Sequence, residues 1–241
     1  MPRSKKSSRH VRRTLVVASA LVIAYAAVAY VAVPLAWEFV FARKGQPAGV
    51  EPRLTETADH RPGDPLNVML VADEATLKDA MAAAGWFEAD PLGVRTGVDI
   101  AVDILLNRPY RTAPVSRLFL FGRSEDLAFE KPAGPDPDTR HHVRLWRMAP
   151  RPGWPTPRYI GAASFDKGIG LSRETGQVTH HIAAEVDLER DGLRDDLMKA
   201  GRLIDSSMTP GFHAVREGVN GGGDAWVTDG ALWTGVVGGK P

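Results

Sequence analysis

From Leu15 to Trp37 the chain reads LVVASALVIAYAAVAYVAVPLAW without one charged residue. At about 1.5 Å per residue, a helix of that length crosses the roughly 30 Å apolar core of a bilayer. No other feature limits the fold as strongly. Arg3, Lys5, Lys6, Arg9, Arg12 and Arg13 precede the run with no acid among them, and only Arg43 and Lys44 follow it closely. The positive-inside rule therefore places the N-terminus in the cytoplasm and everything after the run outside it. The competing reading is a cleaved signal peptide, because Ala27-Val28-Ala29 fits the small-residue cleavage pattern. The run exceeds the roughly 7–15 apolar residues of a signal-peptide core, which favours an uncleaved anchor. Both readings export the remainder; with the anchor retained, the expected address is a bacterial inner (cell) membrane, single-pass, with the N-terminus cytoplasmic and the C-terminal domain periplasmic or extracytoplasmic.

The segments expected on this basis are a basic cytoplasmic tail over residues 1–13, a transmembrane anchor over 14–42, a linker over 43–63 and one domain over 64–241. The linker reading rests on GQPAGVEPRLTETADHRPGDP, rich in Pro, Gly and polar residues without apolar periodicity. A chain of 241 residues, 44% hydrophobic, supplies enough apolar surface for one core. It has no cysteine, so disulfides, thiol catalysis and thiolate zinc sites are excluded. The net charge is +1, and because the basic excess sits in the tail, the rest is mildly acidic. Nucleic acid is not an expected partner, since phosphate neutralisation needs basic residues clustered on the folded part.

Leu66 to Ala72, LNVMLVA, predicts a buried strand. Asp73 then caps a helix whose Leu77, Ala80, Met81 and Ala84 share a face, and Gly85 ends it. A second helix is expected from the Thr96/Asp99 capping pattern to Pro109, and a third from Asp187, with Leu193, Leu197, Ala200 and Ile204 on one face. Between them RLFLFGR, LAFEKP, HHVRLWRM, RYIGAASFD and GQVTHHIA are short β-rich segments divided by turn residues. Late strands are expected across the turn NGGGD, and the terminal GALWTGVVGGKP reads as an edge strand or a subunit contact. The expected class is α+β: a single N-terminal transmembrane helix, then one soluble domain with a mainly antiparallel sheet and about three helices.

The combination GDPLNV, AGW, RPY, TAPVS, LFLFGR with DLAFEK, RHHVRLW, ASFDKGIGLS, THHI and VDLERD, from about Gly63 to Leu203, resembles the LssY C-terminal domain family. That family takes its name from a component encoded with a bacterial type I secretion locus. The resemblance implies a domain associated with membranes, working with envelope or secretion proteins.

Four of the seven histidines form two pairs, His141-His142 and His180-His181. Strand alternation puts His141, Val143 and Leu145 on one face and His142, Arg144 and Trp146 on the other. His142 and His181 could then approach each other if their strands share a sheet. Arg144, His142, His181 and Lys167 are the candidate ligand-binding residues, because imidazole and guanidinium together suit an anionic small molecule. For a divalent metal, the admitted cofactor, His142 and His181 supply two ligands and Asp166 a third. The plainer readings make His141 and His180 hydrogen-bonded core residues, Asp187 an N-cap, Asp166 a turn-capping residue, and Arg140 and Arg144 a solvated or salt-bridged face. Two functions are expected from these residues. One is ligand or partner binding in envelope transport or secretion; the other is metal-assisted hydrolysis of a phosphoester or similar bond.

Overall fold

The computed structural model describes residues 5–28, 53–57, 60–89, 118–134, 139–171 and 178–238. The chain divides into two compact units, Met1–Ala42 with Leu92–Tyr110, and Arg43–Pro91 with Arg111–Pro241. In the first, helix α1 runs from Lys5 to Ala27. This corrects the expected transmembrane anchor: among the described residues no helix is long and apolar enough to cross a membrane. The physical reason is where the helix begins. It takes in Lys5, Lys6, Arg9, Arg12 and Arg13, which had been assigned to a separate tail. Within the described residues its uncharged part, Thr14 to Ala27, rises about 21 Å at about 1.5 Å per residue. Residues 29–42 of the expected span lie outside the described residues, as does the helix expected over 96–109.

The second unit is built on an eight-stranded sheet. Its centre is β3 (Val68–Val71), the expected buried strand, flanked by β9 (Arg158–Leu171) antiparallel and β14 (Leu232–Val237) parallel. Beyond β9 the order continues through β8 (Arg140–Arg147), β7 (Leu127–Pro132) and β4 (Phe87–Glu88). Beyond β14 lies β11 (Leu203–Thr209), and β10 (Val178–Ile182) pairs with the far end of β9. The terminal segment is thus an interior strand rather than an edge, and the edge beside it is β11. The antiparallel character is as expected, with β3 and β14 as the parallel exception.

One face of this sheet is covered by helices α2 (Glu74–Ala83) and α3 (Val186–Lys199). Helix α2 forms as its sequence dictates. The Asp73 carboxylate accepts from the Thr76 amide at 2.9 Å, Leu77, Ala80 and Met81 are buried, and Gly85 takes the left-handed φ of +83° that ends it. Helix α3 starts one residue before Asp187, so Asp187 sits in its first turn, accepting from the Thr228 hydroxyl and the Asp229 amide. The helix stops at Lys199, where the chain turns through Gly201 at φ +67°. Ile204, expected on its apolar face, is instead exposed on β11.

The opposite face is covered by a four-stranded sheet, β2 (Pro62–Pro65), β1 (Leu54–Thr57), β5 (Leu118–Leu120) and β6 (Arg123–Ser124). Strands β1 and the start of β2 come from the stretch read as linker, where Leu54 and Thr55 supply the short inward-facing pattern that Pro and Gly obscure. Leu66, Leu118, Leu120, Trp146, Ile160, Ala162, Phe212 and Leu232 fill the layer between the sheets. A two-stranded hairpin, β12 (Glu217–Val219) with β13 (Ala225–Val227), forms across the NGGGD turn as expected.

The β3–β9 ladder ends at Val68 and Gly161, and there Asn67 continues it with its side chain. Its amide accepts from the Ala163 N–H at 2.8 Å and donates to the Ala163 carbonyl at 2.9 Å and to the Val186 carbonyl at 3.0 Å. Gly161 is required beside it, because a Cβ there would lie 2.3 Å from the Arg144 carbonyl oxygen. Removing the Asn67 amide leaves buried backbone groups without partners, each costing about 1–3 kcal/mol. Asn67→Ala is therefore expected to lower unfolding free energy by about 3 kcal/mol or more, read from urea denaturation followed by circular dichroism; a loss under about 1 kcal/mol would show that the bridge is dispensable.

Candidate functional site

Strand alternation on β8 behaves as expected: Val143 and Leu145 pack under the helices, while His142, Arg144 and Trp146 face the second sheet. The covering sheet buries that second face as well, so the polar residues on it are enclosed. Across the strands Glu130 of β7 stands opposite His142, Ser164 of β9 opposite His142, and Asp166 opposite Arg140. Arg140, His142, Arg144, Ser164, Asp166 and Asp64 are all buried. The space between the two sheets therefore has an apolar end around Trp146 and a polar end around His142.

The polar end is held by ion pairs. Arg140 donates through Nη1 to Glu130 at 2.8 Å and through Nε to Asp166 at 3.3 Å. Arg144 donates to Asp64 of β2 at 3.4 Å, and Asn220 holds the other oxygen of Asp64 at 3.0 Å. Imidazole Nδ1 of His142 lies 3.4 Å from Asp166 Oδ1 and 3.5 Å from Ser164 Oγ. A carboxylate beside Nδ1 favours the tautomer with its proton there, leaving the lone pair on Nε2. That Nε2 is buried and has no hydrogen-bond partner among the described residues. Burial, reinforced by the Arg144 charge, pushes the His142 pKa below its ordinary value and outweighs the opposing pull of Asp166. With His142 neutral, and among the described residues, the guanidiniums of Arg140 and Arg144 face the carboxylates of Glu130, Asp166 and Asp64.

The candidates read from sequence divide in space. His142, Arg144 and Asp166 come together. Asp166 lies within β9 rather than at a turn, and the register between β9 and β10 slips just beyond it, where Lys167 is exposed. His181 is on the neighbouring strand β10 and gives its Nδ1 to Asp224 at 2.9 Å, while Asp224 also accepts from the Ile182 amide. Among the described residues no group of three or more His, Asp or Glu side chains is arranged to hold a metal ion. The side chain of His180 lies outside the described residues. His141 is tied to α3 by Glu189, at 2.8 Å, and stacks at a tilt on Phe165; the hydrogen bond is as expected, but the ring is half-buried rather than in the core.

Sequence reasoning missed Asp64, Asn220 and Asp224. Each reaches its partner across a large chain separation, as with Asn220 and Asp64, so no local spacing marks them. The residue pair GD at 63–64 and the acid closing NGGGD were the available signals, and both are ordinary turn chemistry.

His213 is a second buried imidazole, donating from Nε2 to the Leu66 carbonyl at 2.7 Å. Burial lowers its pKa too, against the raising effect of that bond. A histidine with a depressed folded pKa is neutral in the fold but takes up a proton when unfolded below about pH 6.5, so its contribution is complete above that pH and is lost as the pH falls. The urea midpoint is expected to drop from pH 7.5 to pH 5, and the drop to shrink in His142→Asn and in His213→Asn. A pH profile unchanged by either substitution would refute the assignment.

Comparison with protein families matches residues 49–232 to the family described as LssY C-terminus. No curated protein and no solved structure matches the chain.

Proposed function

The chain belongs to the LssY C-terminus family, and from that premise and the geometry of its enclosed polar end we propose that the domain binds a small ligand through His142. The observation that carries this is the Nε2 atom, buried and without a partner among the described residues, with the Asp166 carboxylate behind its ring. Both guanidiniums already face carboxylates, so what the cluster offers is a hydrogen-bond acceptor. The ligand chemistry that fits is a cationic or hydrogen-bond-donating group, of which a primary ammonium is the simplest case. The carboxylate behind Nδ1 fixes the ring and strengthens Nε2 as an acceptor, as carboxylates do behind ligating histidines. Hydrolysis is the second reading: an Asp166–His142 pair with an available Nε2 has the arrangement of a general base.

The test is the imidazole nitrogen spectrum of the histidine-labelled chain, with ethanolamine and inorganic phosphate as probes. Ethanolamine is expected to move the His142 Nε2 resonance saturably, phosphate to leave it in place, and His142→Gln to abolish the response. A resonance unmoved by either probe and exchanging with water would make the atom a site for trapped water and end the binding reading.

We also propose that the domain works outside the cytoplasm, supported by the basic N-terminus followed by an uncharged apolar run. Alkaline phosphatase fused after Lys44 is expected to be active in cells; an inactive fusion alongside an active cytoplasmic reporter at the same point would reverse the assignment.

A further inference from the structure

Strands β8 and β9 are joined by the segment RMAPRPGWPTPR from Arg147 to Arg158, at the end of the strands remote from His142. Its base is fixed: the Met148 amide donates to the Arg158 carbonyl at 2.8 Å, and the Ala72 amide to the Pro157 carbonyl at 3.1 Å. Its tip is a tight turn in which the Trp154 amide donates to the Arg151 carbonyl and Gly153 takes φ +81°. Trp154 is 49% exposed at this tip, with the Arg158 guanidinium 5.4 Å over its ring. Arg151 in the same turn is exposed, and Arg147 is exposed at the base of the segment.

Three properties of the segment coincide. It carries no acid; of the acids near its base, Asp126 pairs with Arg123 and also accepts from the Arg147 amide at 2.6 Å, Asp73 caps the Thr76 amide, and Glu74 pairs with Lys78. It presents a large aromatic with a polar N–H, the side-chain type that settles at the headgroup level of bilayers. Pro150, Pro152, Pro155 and Pro157 remove backbone N–H donors that would otherwise lose hydrogen bonds on leaving water. A protein partner pairing with a strand edge would use those donors, whereas a lipid interface penalises them.

We propose that this hairpin tip docks on an anionic lipid surface, with Trp154 among the headgroups and Arg147 and Arg151 against their phosphates. The contact is peripheral and is independent of the ligand proposed at His142.

Because the chain has no cysteine, an environment-sensitive dye can be placed at one position in the full chain. The dye on Thr156→Cys is expected to brighten and shift to the blue with vesicles of phosphatidylglycerol and phosphatidylcholine, but not with phosphatidylcholine alone. The same dye on Ser206→Cys, on β11, should stay silent. In the Thr156→Cys background Arg151→Ala is expected to weaken partitioning about fivefold, the worth of one basic side chain beside an anionic surface, and Trp154→Ala to weaken it further. Equal responses to both vesicle types, responses unchanged by either substitution, or a response to polyglutamate but not to vesicles would each overturn the proposal; the last would make the partner an acidic protein. Both substitutions fall on exposed side chains, so circular dichroism should match that of the parent chain.

Discussion

The side-chain amide of Asn67 stands where the central strand of the main sheet stops, and it does the work of a further pair of backbone groups. With one plane of atoms it closes the ladder against Ala163 and takes the Val186 carbonyl at the start of α3. The adjoining Asn67 carbonyl accepts from the Trp233 amide, so β3, β9, β14 and α3 all converge on this residue. A buried amide is tolerable only when every donor and acceptor is matched, and that requirement fixes the position of the helix relative to the sheet. Gly161 permits it by letting the β8 backbone close on β9 where any Cβ would collide.

With the sheet fixed between helices and a second sheet, β8 has no solvent side from His142 to Trp146. Val143 and Leu145 enter the helix-covered core, while its even positions enter a layer that is apolar at Trp146 and polar at Arg140. Charges enclosed in such a layer must neutralise one another, because an unmatched ion pays a desolvation penalty of several kcal/mol. Arg140 and Arg144 accordingly reach carboxylates on three other strands, β7, β9 and β2. Among the described residues, Nε2 of His142 is a buried atom of this network without a hydrogen-bond partner.

The same two strands carry the second feature. Strand β8 runs from Arg140, at the buried cluster, to Arg147, at the base of the proline-rich hairpin. At about 3.3 Å per residue the two lie roughly 23 Å apart. One end is enclosed, with its charges paired; the other projects a basic and aromatic tip. A pair of strands separates the two, so the ligand binding proposed at one end and the docking proposed at the other can be tested independently.

Local chemistry was legible without coordinates wherever one segment decided the outcome. Asp73 capping α2, the strand at Leu70, the alternation of HHVRLW and the turn NGGGD all follow from nearest neighbours. The kinship also showed in short motifs spread along the chain. Length of an apolar run was a poorer guide, since it did not show that α1 would start among basic residues at Lys5. Alternation assigned His142 and Arg144 to one face, but whether that face met water depended on a sheet built from Leu54–Thr57, a stretch too short and polar to announce itself. The partners Asp64, Asn220 and Asp224, the separate placement of His181 on Asp224, and the unmatched Nε2 of His142 were decided by tertiary structure alone. Such contacts join residues far apart in the chain, and only the stacking of two sheets brings them within hydrogen-bonding distance.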